Sequence, residues 1–353
     1  RSTQSRSSAA SDVYKRQVIV VPEPSSLIPL LAEISGVVHQ YNVSLGFPVR
    51  RSPVYALLDL ILRAQASRSG EGYHVRAYRE VLRHPFICAV DRADAGEGVG
   101  ARTIRVLVET VDRALRGEVA AHCAGELFVR PSAIADDPAI IAAAQETLHR
   151  EGARVAGDQL RRTLHELHEI LFTAWERCTT VAALAAALEG VLSLLVARVN
   201  LEQYPPNLTV TERLLAVVQE LAVSLIAGEH FEPAELFRLL RERVEGEVIS
   251  FSGSPIAGVQ VLGLLETRAL DFDTVIIMDV NESVLPRLRV HEPFIPRDVM
   301  LALGLDRLEQ EEEIQRYQFM RLIAGAREVH LVYLSLIHIS EPTRLLSISY
   351  AVF

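Results

Sequence analysis

The chain has 353 residues, of which 49% are hydrophobic and 23% charged, and its net charge is −9 at neutral pH. This length is sufficient for one large or two ordinary domains, and the composition is typical of an ordered protein. The negative charge excludes a global attraction to nucleic acid, so any DNA contact must come from a local arginine patch. The three cysteines are far apart and lack metal-ligand spacing, which favours a reduced, cytoplasmic chain.

The lysine content limits the chemistry that this chain can perform. Lys15 is the only lysine, and no GxxxxGKS or GxxxxGKT motif is present. A P-loop needs that lysine on the β- and γ-phosphates of its nucleotide. A nuclease of the PD-(D/E)XK type likewise needs a lysine beside its metal-binding carboxylates. We therefore expect that this chain neither hydrolyses ATP nor cuts DNA.

The two ends differ in character from the rest of the chain. Residues 1–17 and 335–353 resemble translated read-through of sequencing adaptors at the ends of assembled contigs. The alternatives are a genuine polar tail and a genuine terminal strand. If such segments are left out of the fold prediction, the remaining protein is an internal fragment, residues 18–334.

The first part of this fragment alternates between strand and helix patterns. Val18–Val21 predicts a buried strand that Pro22 ends, and Ser25 is the expected N-cap of a helix that runs to about Ile34. Ser52 and Pro53 then form a cap and a first-turn proline, which predict a helix over residues 54–65.

Between residues 73 and 243 the pattern is helical. Apolar residues recur at spacings of three and four, with glycine clusters and a Pro-Pro pair between the segments. The predicted helices span residues 75–83, 101–116, 136–177, 181–200, 211–226 and 233–243, and Asp136 and Asp137 are expected caps. The most apolar window, residues 179–199, carries Glu189 and Arg198 and therefore fits a bundle helix better than a membrane span.

The α/β pattern resumes after residue 246 and contains the most informative stretch. Residues 259–262 and 274–280 predict two buried strands, joined by a turn-rich linker. Asp279, Asn281 and Glu282 follow the second strand, at the end of the sheet where open α/β folds bind ligands. Helices over residues 297–303 and 308–324 and a strand over residues 329–333 complete the pattern.

Several polar clusters are candidate ligand sites, and each of them also has a purely structural explanation. Asp279 and Glu282 could bind a metal, but no third carboxylate lies at fixed spacing. A zinc site from His149, His165 and His168 is disfavoured because the charges of that helix predict a solvent-exposed face. Five arginines could form a basic face that contacts phosphate, or they could simply lie on solvated helix surfaces. They are Arg161, Arg162, Arg238, Arg241 and Arg243.

The linker after residue 262 resembles motif V of the superfamily 1 helicases of the UvrD/RecB/AddB group, which reads roughly T-x-H-x-x-K-G-L-E-F-D-x-V. The segment 268–273, RALDFD, stands where K-G-L-E-F-D would be, and residues 281–286 resemble the x-E-G-x-F/L-P that follows. Gly263 and Leu265 replace the motif threonine and histidine. The framework of the motif is thus kept while its active residues are changed.

Two further segments support the same resemblance. Residues 41–53 are similar to V-N-V-T-M-G-Y-P-L-R-x-S-P of AddB-like proteins, and residues 316–327 are similar to motif VI. Gly325 stands where the catalytic arginine of motif VI would be, and glycine cannot stabilise charge on a γ-phosphate. The resemblance makes Arg268, Asp271, Arg321 and Arg327 candidate nucleotide or DNA contacts. The alternative for Arg268 and Asp271 is that they only brace the loop.

The resemblance implies the second RecA-like domain (2A) of an inactivated helicase in residues 18–72 and 247–334, with a helical insertion (2B-like) in residues 73–246. A full-length parent would carry a degenerate RecA-like domain and a PD-(D/E)XK nuclease that needs Mg²⁺; an Fe–S cluster is left open. It would process DNA double-strand breaks with an AddA-like helicase–nuclease subunit, and this part would scaffold or guide DNA. Two alternatives remain, namely a fragment of an active helicase whose P-loop lies upstream, and a nucleotide-binding or protein-interaction domain unrelated to DNA.

Overall fold

The computed structural model describes residues 17–34, 36–38, 40–70, 72–91, 100–201, 205–250, 258–282, 284–286, 299 and 308–333. Its strands are β1 Gln17–Val20, β2 Tyr41–Val43, β3 Phe47–Pro48, β4 Tyr73–His74, β5 Phe128–Val129, β6 Val248–Ile249, β7 Val259–Leu262, β8 Thr274–Ile277 and β9 Glu328–Leu331. Its helices are α1 Leu27–Ile34, α2 Pro53–Ala66, α3 Val75–Leu82, α4 Pro85–Cys88, α5 Ala101–Leu115, α6 Pro131–Ala135, α7 Pro138–Arg150, α8 Gly157–His168, α9 Ala174–Glu176, α10 Val181–Arg198, α11 Pro205–Ala222, α12 Pro233–Glu245 and α13 Leu308–Gly325.

Contacts divide the chain into two compact units. One unit contains the residues up to Phe47 and those from Ser250 onward, and the other contains Pro48–Ile249. We call them the sheet unit and the helical unit. The structure thus divides the chain at residues 47 and 250, whereas the sequence placed the boundaries at residues 73 and 247. The difference arises because α2 packs against α3, α11 and α12.

The sheet unit is built on five parallel strands in the order β2-β7-β1-β8-β9. The strands predicted near residues 18, 259, 274 and 329 therefore lie in one parallel sheet, and the α/β class is confirmed. β1 and β8 are paired from Gln17 to Val20, so Gln17, which was assigned to the adaptor-like tail, is part of the sheet. The core on this sheet combines buried side chains of Val18, Val20, Leu262, Leu264, Phe272, Val275, Ile277 and Leu322.

A buried pair of amides joins the edge strand to its neighbour. Asn42 on β2 lies opposite Gln260 on β7, and its Nδ2 donates to Gln260 Oε1 at 2.9 Å. The same nitrogen donates to Ser44 Oγ at 3.1 Å. Both amide side chains are buried, so these hydrogen bonds satisfy groups that water cannot reach. The Asn42–Ser44 pair belongs to the segment that resembles V-N-V-T in AddB-like proteins.

The helical unit packs around buried aromatic side chains. Tyr73, Tyr78, Phe172 and Trp175 are fully buried. Phe172 lies in a π-helical turn, Glu169–Thr173, between α8 and α9, and its carbonyl oxygen accepts a hydrogen bond from Gln65 at 3.0 Å. Because a π-helical turn disturbs the regular ladder of helical hydrogen bonds, a buried side-chain donor at this carbonyl stabilises the turn.

One helix among the described residues, α10, is long and apolar enough to cross a membrane by length and composition alone. It packs against α11, and its buried residues are Val181, Leu184, Ala185, Ala187, Leu188, Val191, Leu192 and Leu195.

Several local expectations were wrong in detail. Ser25 does not cap a helix that begins there; Glu23 caps a short 3₁₀ turn, and α1 starts at Leu27. The predicted helix over residues 136–177 is broken after Arg150, because Gly152 adopts a left-handed φ of 83° that ends α7. Asp137 caps α7 as expected, with its Oδ1 accepting from the Ala139 amide at 2.9 Å. The predicted helix over residues 297–303 lies outside the described residues apart from Val299.

Candidate functional site

The candidate site is the loop that connects β7 to β8, which leaves the carboxyl end of β7 and returns to the amino end of β8. After β7 the chain forms a 3₁₀ turn, Leu265–Thr267, and then the segment 268–273. Thr267 is fully buried and its Oγ1 donates to the carbonyl of Leu264 at 2.6 Å. The amide of Leu270 donates to the carbonyl of Thr267 at 3.1 Å. These bonds give the loop a defined backbone conformation.

Ala269 has a left-handed backbone in this loop, with φ of 62°. L-residues with a Cβ rarely adopt this conformation, which costs about 1–2 kcal/mol and is the usual reason for glycine. Ala269 is the residue that aligns with glycine in the K-G-L-E-F-D segment of motif V. The backbone of this loop therefore has the form that the motif glycine would favour, although the glycine itself is absent.

Arg321 on α13 forms hydrogen bonds to the backbone of this loop. Its Nη2 donates to the carbonyl of Thr267 at 2.7 Å and to that of Leu270 at 3.2 Å, and its Nη1 lies 3.6 Å from Asp271 Oδ1. The Asp271 side chain is 91% exposed, so this ion pair contributes little. Of the four candidate contacts, Arg321 therefore ties α13 to the loop through the two carbonyls, and Asp271 only lies beside its guanidinium.

The other two candidates, Arg268 and Arg327, are exposed. Within the described part of the chain the Arg268 side chain makes no hydrogen bond or ion pair. The Arg327 side chain is 82% exposed and lies 3.6 Å from Asp273, whose backbone oxygen accepts from the Arg327 amide at 2.9 Å. These two guanidinium groups are the ones that remain available to a ligand.

An open groove of about 870 Å³ lies between this loop and α13. Leu265, Arg268 and Ala269 form one wall. The residues of the other wall belong to α13 and are Glu313, Ile314, Tyr317, Gln318 and Arg321. The lining thus combines four apolar or aromatic side chains with two arginines, one glutamate and one glutamine.

Gly263 and Gly325, which stand where the resembled motifs have threonine and arginine, have different surroundings. A Cβ on Gly263 would lie 2.9 Å from Leu45 Cδ1 and would also meet the Glu266 carboxylate, so a threonine cannot be accommodated there without a shift. A Cβ on Gly325 would meet nothing within 4 Å. Packing therefore explains the glycine at position 263 but leaves room for an arginine at position 325.

The other clusters weighed in the sequence do not assemble into sites in the described residues. No group of three or more His, Cys, Asp or Glu side chains there is arranged to hold a metal ion. His168 is buried, contrary to the solvent-exposed face expected for it, and its Nε2 lies 2.7 Å from the Tyr78 hydroxyl. His165 instead contacts Asp136 at 2.9 Å.

The five arginines weighed as a basic face lie on two helices, α8 and α12. Arg161 pairs with Asp158 at 3.0 Å and Arg241 with Asp59 at 3.1 Å. Arg243 bridges Glu220 and Glu247. Because acidic partners neutralise these three arginines, the helical unit offers less free positive charge here than its sequence indicates.

Sequence inspection missed the exposed apolar wall of the groove. Ile314 and Tyr317 line the groove from α13, and Met320 on the same helix is also exposed. Their spacing of three residues was the available signal, but the helix was predicted without an assignment of its faces. Comparison of the chain with protein-family models and with curated proteins gave no match. The structure therefore defines the class of the protein, an α/β protein with a five-stranded parallel sheet.

Proposed function

We propose that this chain is the catalytically inactive, helicase-like part of an AddB-like helicase–nuclease subunit, and that it scaffolds or guides DNA. The observation that carries the proposal is the left-handed backbone of Ala269, at the position of the motif V glycine. Alanine has no preference for this conformation, so the conformation reflects the loop and not the residue. A loop that holds an alanine in a conformation suited to glycine is what descent from a sequence with glycine at this position would leave.

The connectivity of the sheet supports a RecA-like 2A domain with a 2B-like insertion. β1 and β2 precede the helical unit and β7, β8 and β9 follow it, and all five are parallel. A domain interrupted by an inserted helical body has this order of elements. The motif V and motif VI segments meet in space through the bonds from Arg321 to the 267–270 loop.

The proposed role in DNA contact falls on Arg268 and Arg327. Both side chains are exposed at or near the loop, where a phosphate could be reached, and arginine binds phosphate well. Arg321 would act indirectly by holding the loop, with Asp271 beside its guanidinium. ATP turnover is not expected, because Gly325 supplies no charge and the sequence has no P-loop lysine.

The proposal extends to the parent protein, in which a PD-(D/E)XK nuclease with Mg²⁺ would cut DNA and an AddA-like subunit would unwind it. The setting would be cytoplasmic repair of double-strand breaks. In such an assembly the present chain needs only weak affinity for DNA, because the partner subunit holds the same duplex. A net charge of −9 fits weak, local contacts and not a broad basic surface.

The direct test is fluorescence anisotropy of a labelled single-stranded and a labelled duplex oligonucleotide with the 353-residue chain, at several salt concentrations, with and without ATP. We expect weak binding that falls with salt and does not respond to ATP. Arg268→Ala should weaken binding about threefold to tenfold and reduce the salt slope by about one. Arg150→Ala, which removes an exposed arginine of the helical unit, is the matched control and should leave binding unchanged.

The outcomes separate the candidate functions. If no binding occurs at low salt, the DNA-guiding role is wrong, and a protein-interaction domain becomes the better explanation. Binding that changes with ATP would contradict the inactivation argument and favour a fragment of an active helicase. Equal losses in Arg268→Ala and Arg150→Ala would mean that binding is nonspecific and not located at the loop.

A further inference from the structure

Helix α13 has apolar residues on two faces, and only one face packs on the sheet. Leu322 belongs to the buried core there, and Phe319 and Ile323 pack against that core. The other face carries Ile314, Tyr317 and Met320, with exposed fractions of 52%, 64% and 55%. Residues three apart lie next to each other on a helix, so these side chains form one stripe.

The stripe is bordered by further exposed apolar side chains. Leu265 and Leu270, from the loop after β7, are 55% and 45% exposed, and Leu265 shares the groove with Ile314 and Tyr317. Single exposed apolar residues need no explanation, but Leu265, Ile314 and Tyr317 line one groove from two elements, and such a set marks an interaction surface. We call Leu265, Leu270, Ile314, Tyr317 and Met320 the α13 patch.

The charges on the two sides of the stripe show which partner would fit. Glu313 lies one turn before Tyr317, and Arg321 lies one turn after it. If two copies of α13 lie antiparallel with their Tyr317 residues on a common twofold axis, Ile314 of each copy faces Met320 of the other, and Glu313 faces Arg321. A twofold-symmetric dimer requires a surface that is complementary to itself. This arrangement meets the requirement, because apolar residues face apolar residues and Glu313 faces Arg321.

Arg321 can serve both contacts. Its Nη2 is used by the loop carbonyls, its Nε lies 3.4 Å from Gln318, and its Nη1 faces the exposed carboxylate of Asp271 at 3.6 Å. A guanidinium has five donor hydrogens, and the pairing with Asp271 is a weak surface one that another carboxylate can replace. Glu313 of a second copy could therefore approach Arg321 without loss of the loop anchor.

We propose that the α13 patch is a homodimer interface, in which two copies of this chain pair antiparallel about Tyr317. A nucleic acid strand fits this stripe less well, because all three residues of the stripe are apolar or aromatic and Glu313 would face the phosphates. The proposal does not depend on the DNA-guiding role, since dimerisation requires no DNA.

Sedimentation velocity on the 353-residue chain, without DNA and from about one to about a hundred micromolar, measures the dimer directly. The wild-type chain should shift from monomer to dimer within this range. Tyr317→Asp should raise the dimer dissociation constant at least tenfold, because it places a charge at the centre of an apolar contact. Leu225→Asp, which alters a fully exposed leucine of the helical unit, is the matched control and should dimerise normally.

Cysteine crosslinking tests the antiparallel register. Tyr317→Cys should form a disulfide-linked dimer with itself on mild oxidation, whereas Leu225→Cys should not. Ile314→Cys should crosslink to Met320→Cys in a mixture more strongly than either crosslinks to itself. The proposal would be overturned by a wild-type chain that stays monomeric at all concentrations. It would also be overturned if Leu225→Asp raised the dimer dissociation constant as much as Tyr317→Asp does. Preferential self-crosslinking of Ile314→Cys would overturn the register.

Discussion

Arg321 on α13 donates a hydrogen bond of 2.7 Å to the backbone oxygen of Thr267, across 54 positions of the sequence. Thr267 is fully buried, so its carbonyl has no access to bulk water and depends on a protein donor. The same guanidinium nitrogen reaches the carbonyl of Leu270, and Ala269, with its left-handed backbone, lies between the two carbonyls. One side chain thus links the segment that resembles motif VI to the loop that resembles motif V.

The first prediction concerns this link. Arg321→Met keeps the aliphatic stem but removes both hydrogen bonds to the loop carbonyls. Hydrogen bonds from a charged donor contribute about 1.5–3 kcal/mol each. The Thr267 carbonyl keeps the Leu270 amide as a donor in this variant, so the loss is that of the bonds to Arg321 alone. We expect the free energy of unfolding to fall by about 2–4 kcal/mol, measured by urea denaturation.

Arg316→Met on the same helix is the matched control, because the Arg316 side chain is exposed and lies at a different cavity, beside Leu285 and Phe319. That variant should unfold at the same urea concentration as the wild-type chain. If both variants lose stability equally, the loss belongs to the helix and the bonds to the loop contribute nothing of their own.

The second prediction concerns the left-handed alanine. Ala269→Gly removes the clash of the Cβ with its own backbone, which outweighs the entropy that glycine costs in the unfolded chain. The free energy of unfolding should rise by about 1 kcal/mol, visible as a higher midpoint of thermal unfolding. Ala142→Gly, at an exposed position within α7, should lower it by about 1 kcal/mol. A loss in both variants would show that position 269 does not require a left-handed backbone in solution.

The sheet could be predicted from the sequence because its signal is local. The predicted strands are short and mostly apolar, and in Thr274–Ile277 the side chains of Val275 and Ile277 are buried. The α/β class followed from the alternation of these runs with helical patterns. The boundary at residue 47 could not be predicted, since it depends on contacts that α2 makes with helices far along the chain.

The candidate site was predicted less completely for the same reason. The motif pattern located the loop and the four candidate residues, but it could not say that Arg321 and Asp271 face each other. Nor could it assign a left-handed φ to Ala269, because alanine does not signal one. His168 was expected to be exposed because of the charges on its helix, whereas it is buried in the fold and pairs with Tyr78, ninety positions away.

The burial of His168 leads to the third prediction, which concerns pH. Desolvation, with a smaller contribution from His165, lowers the pKa of His168 from 6.5 to about 3. Below about pH 6.5 the unfolded chain binds a proton at this position while the folded chain does not. The stability associated with neutral His168 is therefore complete above about pH 6.5 and is lost as the pH falls toward 3, by up to about 1.4 kcal/mol per pH unit.

His168→Gln can retain a hydrogen bond to the Tyr78 hydroxyl but cannot bind this proton. Its free energy of unfolding should therefore fall less steeply between about pH 6 and about pH 4 than that of the wild-type chain. The two slopes should differ by up to about 1.4 kcal/mol per pH unit, which corresponds to one proton. Burial also lowers the pKa of His84, to about 4, so part of the acid sensitivity remains in the variant. His149→Gln removes an exposed histidine of α7 and is the matched control, which should keep the wild-type slope. Equal slopes in all three chains would mean that His168 is protonated in the folded protein and that its burial against Tyr78 and Phe172 is not maintained in solution.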